Sequence, residues 1–91
     1  MIAAEFRQAA LGQPEAVEGE HGGHPDFRVR GKIFAGLTKD GSSASLKLDP
    51  EQQEILMAAL PRIFSPAAGS WGRRGWTRVA LEAAHPDDIM P

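Results

Sequence analysis

Several features that would assign a protein of this length to a particular class are absent from the sequence. The 91 residues include no cysteine, which excludes a disulfide framework. No stretch approaches the about 20 consecutive apolar residues that a membrane-spanning helix requires, and residues 1–7 lack the basic and then apolar pattern of a secretory signal. These absences predict one small soluble domain over residues 1–91, located in the cytoplasm and without membrane contact.

Recognisable catalytic and metal-binding motifs are absent as well. The serines and threonines lie in no nucleophile-elbow or nucleophile–base pattern. His21 and His24 are near Glu20 and Asp26, but a zinc site would need a cysteine or a third imidazole close to them in the sequence. We therefore expect no catalytic residue, no metal, no cofactor and no enzymatic activity.

Positive and negative charges are segregated along the chain, although the net charge is only −2. Nine of the ten lysines and arginines fall in residues 27–48 and 61–81, which contain Asp40 as their one acidic residue. The other acids lie toward the two ends and in residues 49–54. Basic segments of this kind bind phosphate backbones or other anions, but they are also commonly solvent-exposed faces or partners of acidic helices. Both interpretations stay open at this point.

Two helices are predicted with clear boundaries. Apolar residues at helical spacing predict a first helix over 2–11. Asp49 as N-cap and Pro50 at the first helical position predict a second helix that ends near Leu60. Its apolar stripe is predicted to consist of Ile55, Leu56, Ala59 and Leu60. A short third helix is predicted to begin at His85-Pro86.

The strands are predicted from β-prone runs and turn residues. Residues 27–37 predict a hairpin around Arg30-Gly31, in which the glycine takes a positive φ. Alternation over 44–48 predicts a third antiparallel strand, with Ser45 and Lys47 facing water or a partner. Three further segments complete the prediction: a surface connection over 14–25, a short edge strand at most over 62–64, and a last strand over 76–81.

The most specific segment of the sequence is Trp71–Arg78, which holds both tryptophans and three arginines. Large flat apolar surfaces beside guanidinium groups can hold a phosphate backbone, stack on bases or bind another anion. A small domain also needs its largest side chains for burial, so Trp76 is predicted to lie in the core and Trp71 to be the candidate for stacking. Gly72 and Gly75 are predicted to shape a turn.

The order of four short stretches resembles the YjbR/MmcQ-like family of small bacterial proteins. The resemblance covers about residues 5–88. These stretches carry it: His24-Pro25-Asp26-Phe27-Arg28-Val29, Gly31-Lys32-Ile33-Phe34-Ala35, Leu46-Lys47-Leu48 with Pro50-Glu51-Gln52-Gln53, and Gly72-Arg73-Arg74-Gly75-Trp76-Thr77.

The resemblance implies an α+β fold similar to that of bacterial frataxin, a two-layer sandwich in which helices pack on one face of an antiparallel sheet. It also implies a double-wing DNA-binding module. Members of the family usually continue into a longer C-terminal helix, so a truncated C-terminal helix is expected here, with one edge of the sheet less covered.

We therefore hypothesise a non-enzymatic nucleic-acid-binding protein that contacts the phosphate backbone of DNA through a basic sheet and turn surface. The alternatives are an interaction module for an acidic protein or for a second copy of the chain, and a binder of small anionic ligands. The candidate nucleic-acid-binding residues are Arg30, Lys32, Trp71, Arg73, Arg74 and Arg78.

Overall fold

The computed structural model describes residues 1–89 and shows an α+β fold built on one six-stranded antiparallel sheet. A 3₁₀ turn at Leu81–Ala83 connects the last strand to the last helix. The other elements, in chain order, are α1 (Ala3–Leu11), β1 (Ala16–His21), β2 (His24–Val29), β3 (Lys32–Leu37), β4 (Ser43–Lys47), α2 (Pro50–Ala59), β5 (Phe64–Pro66), α3 (Ser70–Arg73), β6 (Trp76–Ala80) and α4 (Pro86–Ile89). No helix within residues 1–89 is both long and apolar enough to cross a membrane.

The strands are arranged in the order β1-β2-β3-β4-β6-β5, and every neighbouring pair is antiparallel. The first four strands follow one another along the chain as a meander. The chain then leaves the sheet through α2, forms the outer strand β5, and returns through α3 to place β6 between β4 and β5. The strand before α2, β4, therefore pairs with β6 and not with β5, the strand that directly follows α2.

The hydrophobic core lies between one face of the sheet and the helices α1 and α2. Phe6 of α1 and Phe27 of β2 are fully buried and meet edge to face, with ring centroids 6.2 Å apart. Leu56 and Met57 of α2 pack against the same cluster. Burying a phenylalanine contributes about 1.5–3 kcal/mol, so these aromatic contacts fix the helices on this face. The sheet contributes Phe27, Ala35, Leu37, Ala44, Phe64 and Val79 to the core.

The opposite face of the sheet, which we call the open face, carries a continuous row of residues. Each residue in the row is paired in register with the next, one from each strand: Gly19, Asp26, Gly36, Ser45, Arg78 and Ser65. Side chains alternate between faces along a strand, so the residues before and after each member of this row point to the other face, which carries the core. The prediction that Ser45 faces away from the core is confirmed.

A β-bulge at Phe34 interrupts this alternation in β3. Phe27 pairs with Ala35 whereas Arg28 pairs with Ile33, so Phe34 is an extra residue between two pairs. Phe34 packs against the core, and Ile33 lies on the open face together with Arg28. The bulge thus allows consecutive residues of β3 to supply apolar side chains to both faces.

The fold class and most element boundaries agree with the sequence predictions. The helices over 3–11 and 50–59, the hairpin around Arg30-Gly31, the β4 and β6 strands and the short helix after His85 are all present. Asp49 caps α2 by accepting a hydrogen bond from the Glu51 N–H at 3.1 Å. Residues 90 and 91, on which the predicted truncation partly rests, lie outside the described residues.

Three predictions about the helices and strands were wrong. The surface connection over 14–25 contains β1, which pairs along its whole length with β2, and this also places Glu18 and Glu20 in the sheet. The edge strand predicted over 62–64 lies two residues later, at Phe64–Pro66, because these are the residues that pair with β6. In α2, Ile55 is 61% exposed while Gln53 is buried, since Gln53 binds backbone carbonyls beneath the helix.

Candidate nucleic-acid interface and the open-face groove

One end of the sheet, which we call the turn end, brings together residues from distant parts of the chain. The β2–β3 turn, the last residue of β4 and the first residue of β6 all lie there, because Val29 pairs with Lys32 and Lys47 pairs with Trp76. Two strand spacings separate β3 from β6, a distance of about 10 Å. The two basic segments of the sequence therefore meet at this end.

The β2–β3 turn has the backbone conformation of a tight hairpin. Arg30 and Gly31 both have positive φ, at 53° and 81°. This is the requirement of a type I′ turn, whose twist matches that of the two strands. Arg30 Nε lies 3.3 Å from Glu15 Oε2, but both side chains are mostly exposed, so this ion pair is weak. The turn therefore presents Arg30 and Lys32 to solvent.

The second basic segment is held by its glycines. Gly75 has a φ of 100°, and a Cβ at this position would collide with the carbonyl oxygen of Leu48. The close approach is fixed by a hydrogen bond from the Leu48 N–H to the Gly75 carbonyl at 2.9 Å. A side chain at Gly72 would collide in the same way with the Ala67 carbonyl oxygen. The glycines thus attach the Arg73-Arg74 turn to the ends of β4 and β5, which agrees with their predicted role.

Gln53 of α2 fixes the same segment from the core side. Its buried side-chain amide donates hydrogen bonds to the Gly72 carbonyl at 3.0 Å and to the Trp76 carbonyl at 3.2 Å. These two carbonyls flank Arg73 and Arg74. The backbone that presents the two arginines is therefore held on both sides by the same residue.

Both tryptophans lie beside cations at the turn end. Trp71 is 57% exposed, and the Arg74 guanidinium carbon lies 5.5 Å from its ring centroid. The Lys47 ammonium lies 5.9 Å from the ring of Trp76. Both distances are within the range of cation–π attraction, which orients the cation without neutralising it. The candidate for stacking, Trp71, is thus the more exposed of the two tryptophans.

Trp76 was predicted to lie in the core, and this is wrong. Its neighbour Thr77 is fully buried on the core side, so alternation places the half-buried Trp76 on the open face. Three phenylalanines, Phe6, Phe27 and Phe64, occupy the core. The large ring of Trp76 is therefore available to line the open face.

Arg78 is separated from the other predicted residues. It lies in the middle of β6 on the open face, and its Nη2 donates to Ser43 Oγ at 3.3 Å. The structure thus brings together five of the six predicted residues at the turn end. Within residues 1–89, no carboxylate lies within ion-pair distance of Lys32, Lys47, Arg73, Arg74 or Arg78.

Asp26 forms a buried charge cluster on the open face. Arg28 donates to it from Nε to Oδ1 at 2.7 Å and from Nη2 to Oδ2 at 3.0 Å, and His21 Nδ1 lies 2.7 Å from Oδ2. The bonds from Arg28 lower the pKa of Asp26 to about 2 against the opposing effect of burial, and His21 adds to the lowering. Gly19 makes this cluster possible, because a Cβ there would lie 2.8 Å from Oδ1 of Asp26.

A groove runs over the open face between the β1–β2 turn and the segment that follows β5. It has two lobes of about 540 and 420 Å³, which share His21, Gly36, Ser45, Ala67 and Ala68. The first lobe reaches Arg78, Thr38 and Ser43, whereas the second reaches Ile33 and both tryptophans. The groove therefore has a polar end and an aromatic end. No group of three or more metal-ligating side chains occurs among the residues that the structure describes.

Comparison with known proteins assigns the family. The family model YjbR matches residues 11–90, which is most of the sequence. The chain belongs to the YjbR family. A crystal structure of the Deinococcus radiodurans protein DR2400, which contains a domain of the family model DUF419, is similar to this YjbR chain with a TM-score of 0.76. The two are 23% identical, and the match covers 97% of this chain and 70% of that one, so it shows the fold alone. No curated protein matches the chain.

Sequence reasoning did not identify three parts of this YjbR site: Gln53, the Asp26 cluster and the groove. Asp26 and Arg28 are two residues apart in a strand, a spacing that puts both side chains on one face and could have suggested their ion pair. Gln53 gives no such signal, because its partners are backbone carbonyls more than fifteen residues away. The groove depends on the position of β5 and α3 beside the sheet, which no local pattern encodes.

Proposed function

We propose that the protein binds nucleic acid through the turn-end surface, which consists of Arg30, Lys32, Lys47, Arg73 and Arg74 with the exposed Trp71. The observation that supports this proposal is the sheet register, because it brings the β2–β3 turn and the start of β6 to one end of the molecule. Four of these five cations have no carboxylate partner within residues 1–89. The proposed activity is binding and involves no catalysis.

The chemistry of this surface suits a phosphate backbone. Each cation that contacts a phosphate releases condensed counterions, which provides affinity without sequence preference. Two strand spacings, about 10 Å, separate the strand that begins at Lys32 from the strand that follows the Arg73-Arg74 turn. The two groups can therefore contact different phosphates. Trp71 is exposed over more than half of its surface, and stacking of an unpaired base on such a ring contributes about 1–3 kcal/mol.

Two acidic residues at the same end limit the expected affinity. Glu15 is paired with Arg30, and Asp49 follows Lys47 closely as the N-cap of α2. Their negative charge reduces the local potential that a polyanion meets. We therefore expect weak binding that is strongly reduced by salt, and a preference for single strands because only unpaired bases can stack on Trp71.

The test is a fluorescence-anisotropy titration of the protein with labelled single-stranded DNA, duplex DNA and single-stranded RNA at several salt concentrations. The double variant Arg73→Gln/Arg74→Gln should weaken binding about tenfold or more. It should also reduce the slope of log K against log salt by about 1.8 for duplex DNA and about 1.4 for single strands, which corresponds to two phosphate contacts. Trp71→Ala should weaken binding to the single strands more than binding to the duplex.

The matched control is Lys39→Gln/Arg62→Gln, which removes the same charge at the opposite end of the sheet. It should leave the affinity nearly unchanged. Equal losses in the two double variants would show that only the net charge matters, and absence of binding at low salt would contradict the proposal. Binding to acidic proteins with no binding to oligonucleotides would favour the alternative of an interaction module.

A further inference from the structure

We propose that the open-face groove is a separate binding site for a small molecule that combines a flat ring with a carboxylate or phosphate. The anionic group would be bound at the Arg78 end and the ring at the tryptophan end. This inference does not depend on the proposed function, because the anionic group would be bound by Arg78 with Ser45 and His21, which lie outside the turn-end surface. Trp71 is shared by the two sites.

The charge of the groove supports an anionic ligand. Arg78 is exposed and has one neutral partner, the Ser43 hydroxyl at 3.3 Å. The acid that lines the groove, Asp26, already accepts hydrogen bonds on both oxygens from Arg28, and His21 contacts Oδ2 as well. Its charge is therefore compensated inside the cluster. Arg78 remains as a cation without a carboxylate partner in residues 1–89, beside hydroxyl groups that can donate to the same anion.

The other end of the groove suits a flat ring. Trp71, Trp76 and Ile33 line it together with Ala67 and Ala68. The exposed face of Trp71 offers an area on which a planar group can stack, as aromatic pairs prefer offset or edge contacts at short range. The ring and the anionic group of one molecule would then lie in the two connected lobes.

The floor of the groove is kept clear by small residues on neighbouring strands. Gly36 pairs with Ser45, and a Cβ at Gly36 would lie 3.2 Å from Ser45 Oγ. Any larger side chain at Gly36 would therefore occupy the space between the lobes. Their volumes of about 540 and 420 Å³ are within the usual range for small-molecule sites, about 300–1,000 Å³.

His21 connects the two ends. Its ring lines both lobes, is 64% exposed, and is held by the contact between Nδ1 and Asp26. The contact leaves Nε2 as the nitrogen that can interact with a ligand. The buried Asp26 carboxylate thus holds the His21 ring in place beside the groove. The carboxylate itself does not fill the space that a ligand would occupy.

The test is NMR titration of the whole ¹⁵N-labelled protein with four probes: adenosine monophosphate, adenosine, inorganic phosphate and indole-3-acetate. Saturable shifts of the Gly36 and Ser45 amides are expected with a probe that has both a ring and an anionic group. Adenosine and phosphate alone should bind about tenfold more weakly or worse. Adenosine monophosphate and indole-3-acetate distinguish a phosphate from a carboxylate as the preferred group.

Variants separate this site from the turn-end surface. Arg78→Gln changes an exposed residue and should weaken the best probe about tenfold, while Arg30→Gln/Lys32→Gln, which changes the turn-end surface away from Trp71, should leave its affinity within about twofold. Gly36→Val should abolish binding by filling the floor, and its urea denaturation curve shows whether the variant is folded. Arg78→Gln remains informative if Gly36→Val does not fold.

Two results would overturn the inference. One is the absence of saturable shifts at Gly36 and Ser45 with every probe at about 5 mM, a concentration that detects even millimolar dissociation constants. The other is competition between the best probe and an oligonucleotide with equal dependence of both on Arg78, which would make the groove part of the nucleic-acid interface. Loss of oligonucleotide binding alone, with probe binding retained, would contradict the proposed function and leave this inference intact.

Discussion

Gly75 is the residue on which the position of the Arg73-Arg74 turn depends most directly. Two separate requirements meet there: a φ of 100° and the absence of a Cβ beside the Leu48 carbonyl. Gly31 shares the first requirement, with a φ of 81°, but has no atom near its missing Cβ. The two positions therefore allow backbone strain and steric collision to be measured separately.

We predict that Gly75→Ala destabilises the protein by more than the about 1–3 kcal/mol expected for backbone strain alone, because the new Cβ also displaces β4. Gly31→Ala should cost only the strain. Urea denaturation followed by circular dichroism measures both free energies of unfolding. Equal losses in the two variants would mean that the contact between Gly75 and Leu48 is not tight in solution.

Asp26 gives a prediction about pH. Its pKa is lowered from 3.8 to about 2, mainly by the hydrogen bonds from Arg28. A carboxylate whose pKa is lower in the folded state stabilises the fold fully above its unfolded pKa and loses this contribution as the pH falls through the folded pKa. The contribution of Asp26 should therefore be complete above about pH 4 and be lost toward pH 2.

The measurement compares the free energy of unfolding of the wild type and of Asp26→Asn as a function of pH. The wild type should lose more stability between pH 4 and pH 2, so that the two curves converge in acid. The Asp40→Asn variant must be measured as well, because hydrogen bonds from Ser42 also lower the pKa of Asp40 to about 2. Asp40 therefore contributes to the stability of the wild type in the same pH range. Parallel curves for wild type and Asp26→Asn would contradict the prediction.

At the scale of elements, the sequence of α2 predicts where the helix begins and ends better than it predicts which residues the helix buries. Its boundaries follow from Asp49 and Pro50, whose capping role is local and therefore predictable. Its contacts follow only partly from the apolar pattern. Leu56 and Leu60 pack against the core, but the buried residue is Gln53, and Ile55 is exposed. Gln53 joins the helix to the segment between α3 and β6 through two hydrogen bonds. Such contacts depend on residues that are distant in the sequence.

We predict that Gln53→Leu destabilises the protein by about 1–3 kcal/mol, because it removes two hydrogen bonds that contribute about 0.5–1.5 kcal/mol each. The Gly72 and Trp76 carbonyls keep the backbone N–H groups of Gly75 and Ala67 as donors. The adjacent Gln52→Leu is the matched control, since Gln52 is exposed and should change stability little. Tryptophan fluorescence adds a local readout, because Trp71 and Trp76 flank the released segment. An unchanged spectrum and stability would show that the glycines alone hold it.

The strand β1 shows why some elements could not be predicted from the sequence. Its residues Glu18, Gly19 and Glu20 have low β propensity and interrupt the apolar alternation. The strand nevertheless forms because β2 provides hydrogen-bond partners along its length and because Arg7 of α1 pairs with Glu18 at 3.1 Å. By contrast, the β2–β3 hairpin was predictable, since Arg30-Gly31 is a local turn signal.

At the scale of the whole molecule, the two outer strands determine whether copies of the chain pair edge to edge. β5 ends at Pro66, which lacks an N–H group, and β1 carries the exposed Glu20 as well as the exposed Val17. Charged residues and proline at sheet edges oppose pairing with another strand. We therefore expect the chain at about 100 μM to be a monomer, a concentration at which weak edge pairing would be visible.

Glu20→Val tests this protection directly. The substitution replaces an exposed charge of β1 with an apolar side chain and leaves Glu18, which pairs with Arg7, as the acid of this strand. We therefore predict concentration-dependent association that light scattering detects. Glu51→Val, on the exposed side of α2, removes the same charge away from the sheet and should not associate. A wild-type dimer would contradict the expectation and support self-association as the function of this edge.

The bulge at Phe34 has a consequence for comparing this chain with its relatives. Ile33 and Ala35 are two residues apart but face opposite sides, because the extra residue Phe34 lies between the pairs Phe27–Ala35 and Arg28–Ile33. A relative that lacks this residue would need an alignment gap of one position, and without the gap its residues before Ala35 would be matched to residues that face the other side. Alignments of this hairpin should therefore be anchored at Ala35 and at Arg28 separately, because an ungapped alignment would equate residues from opposite sides of the sheet.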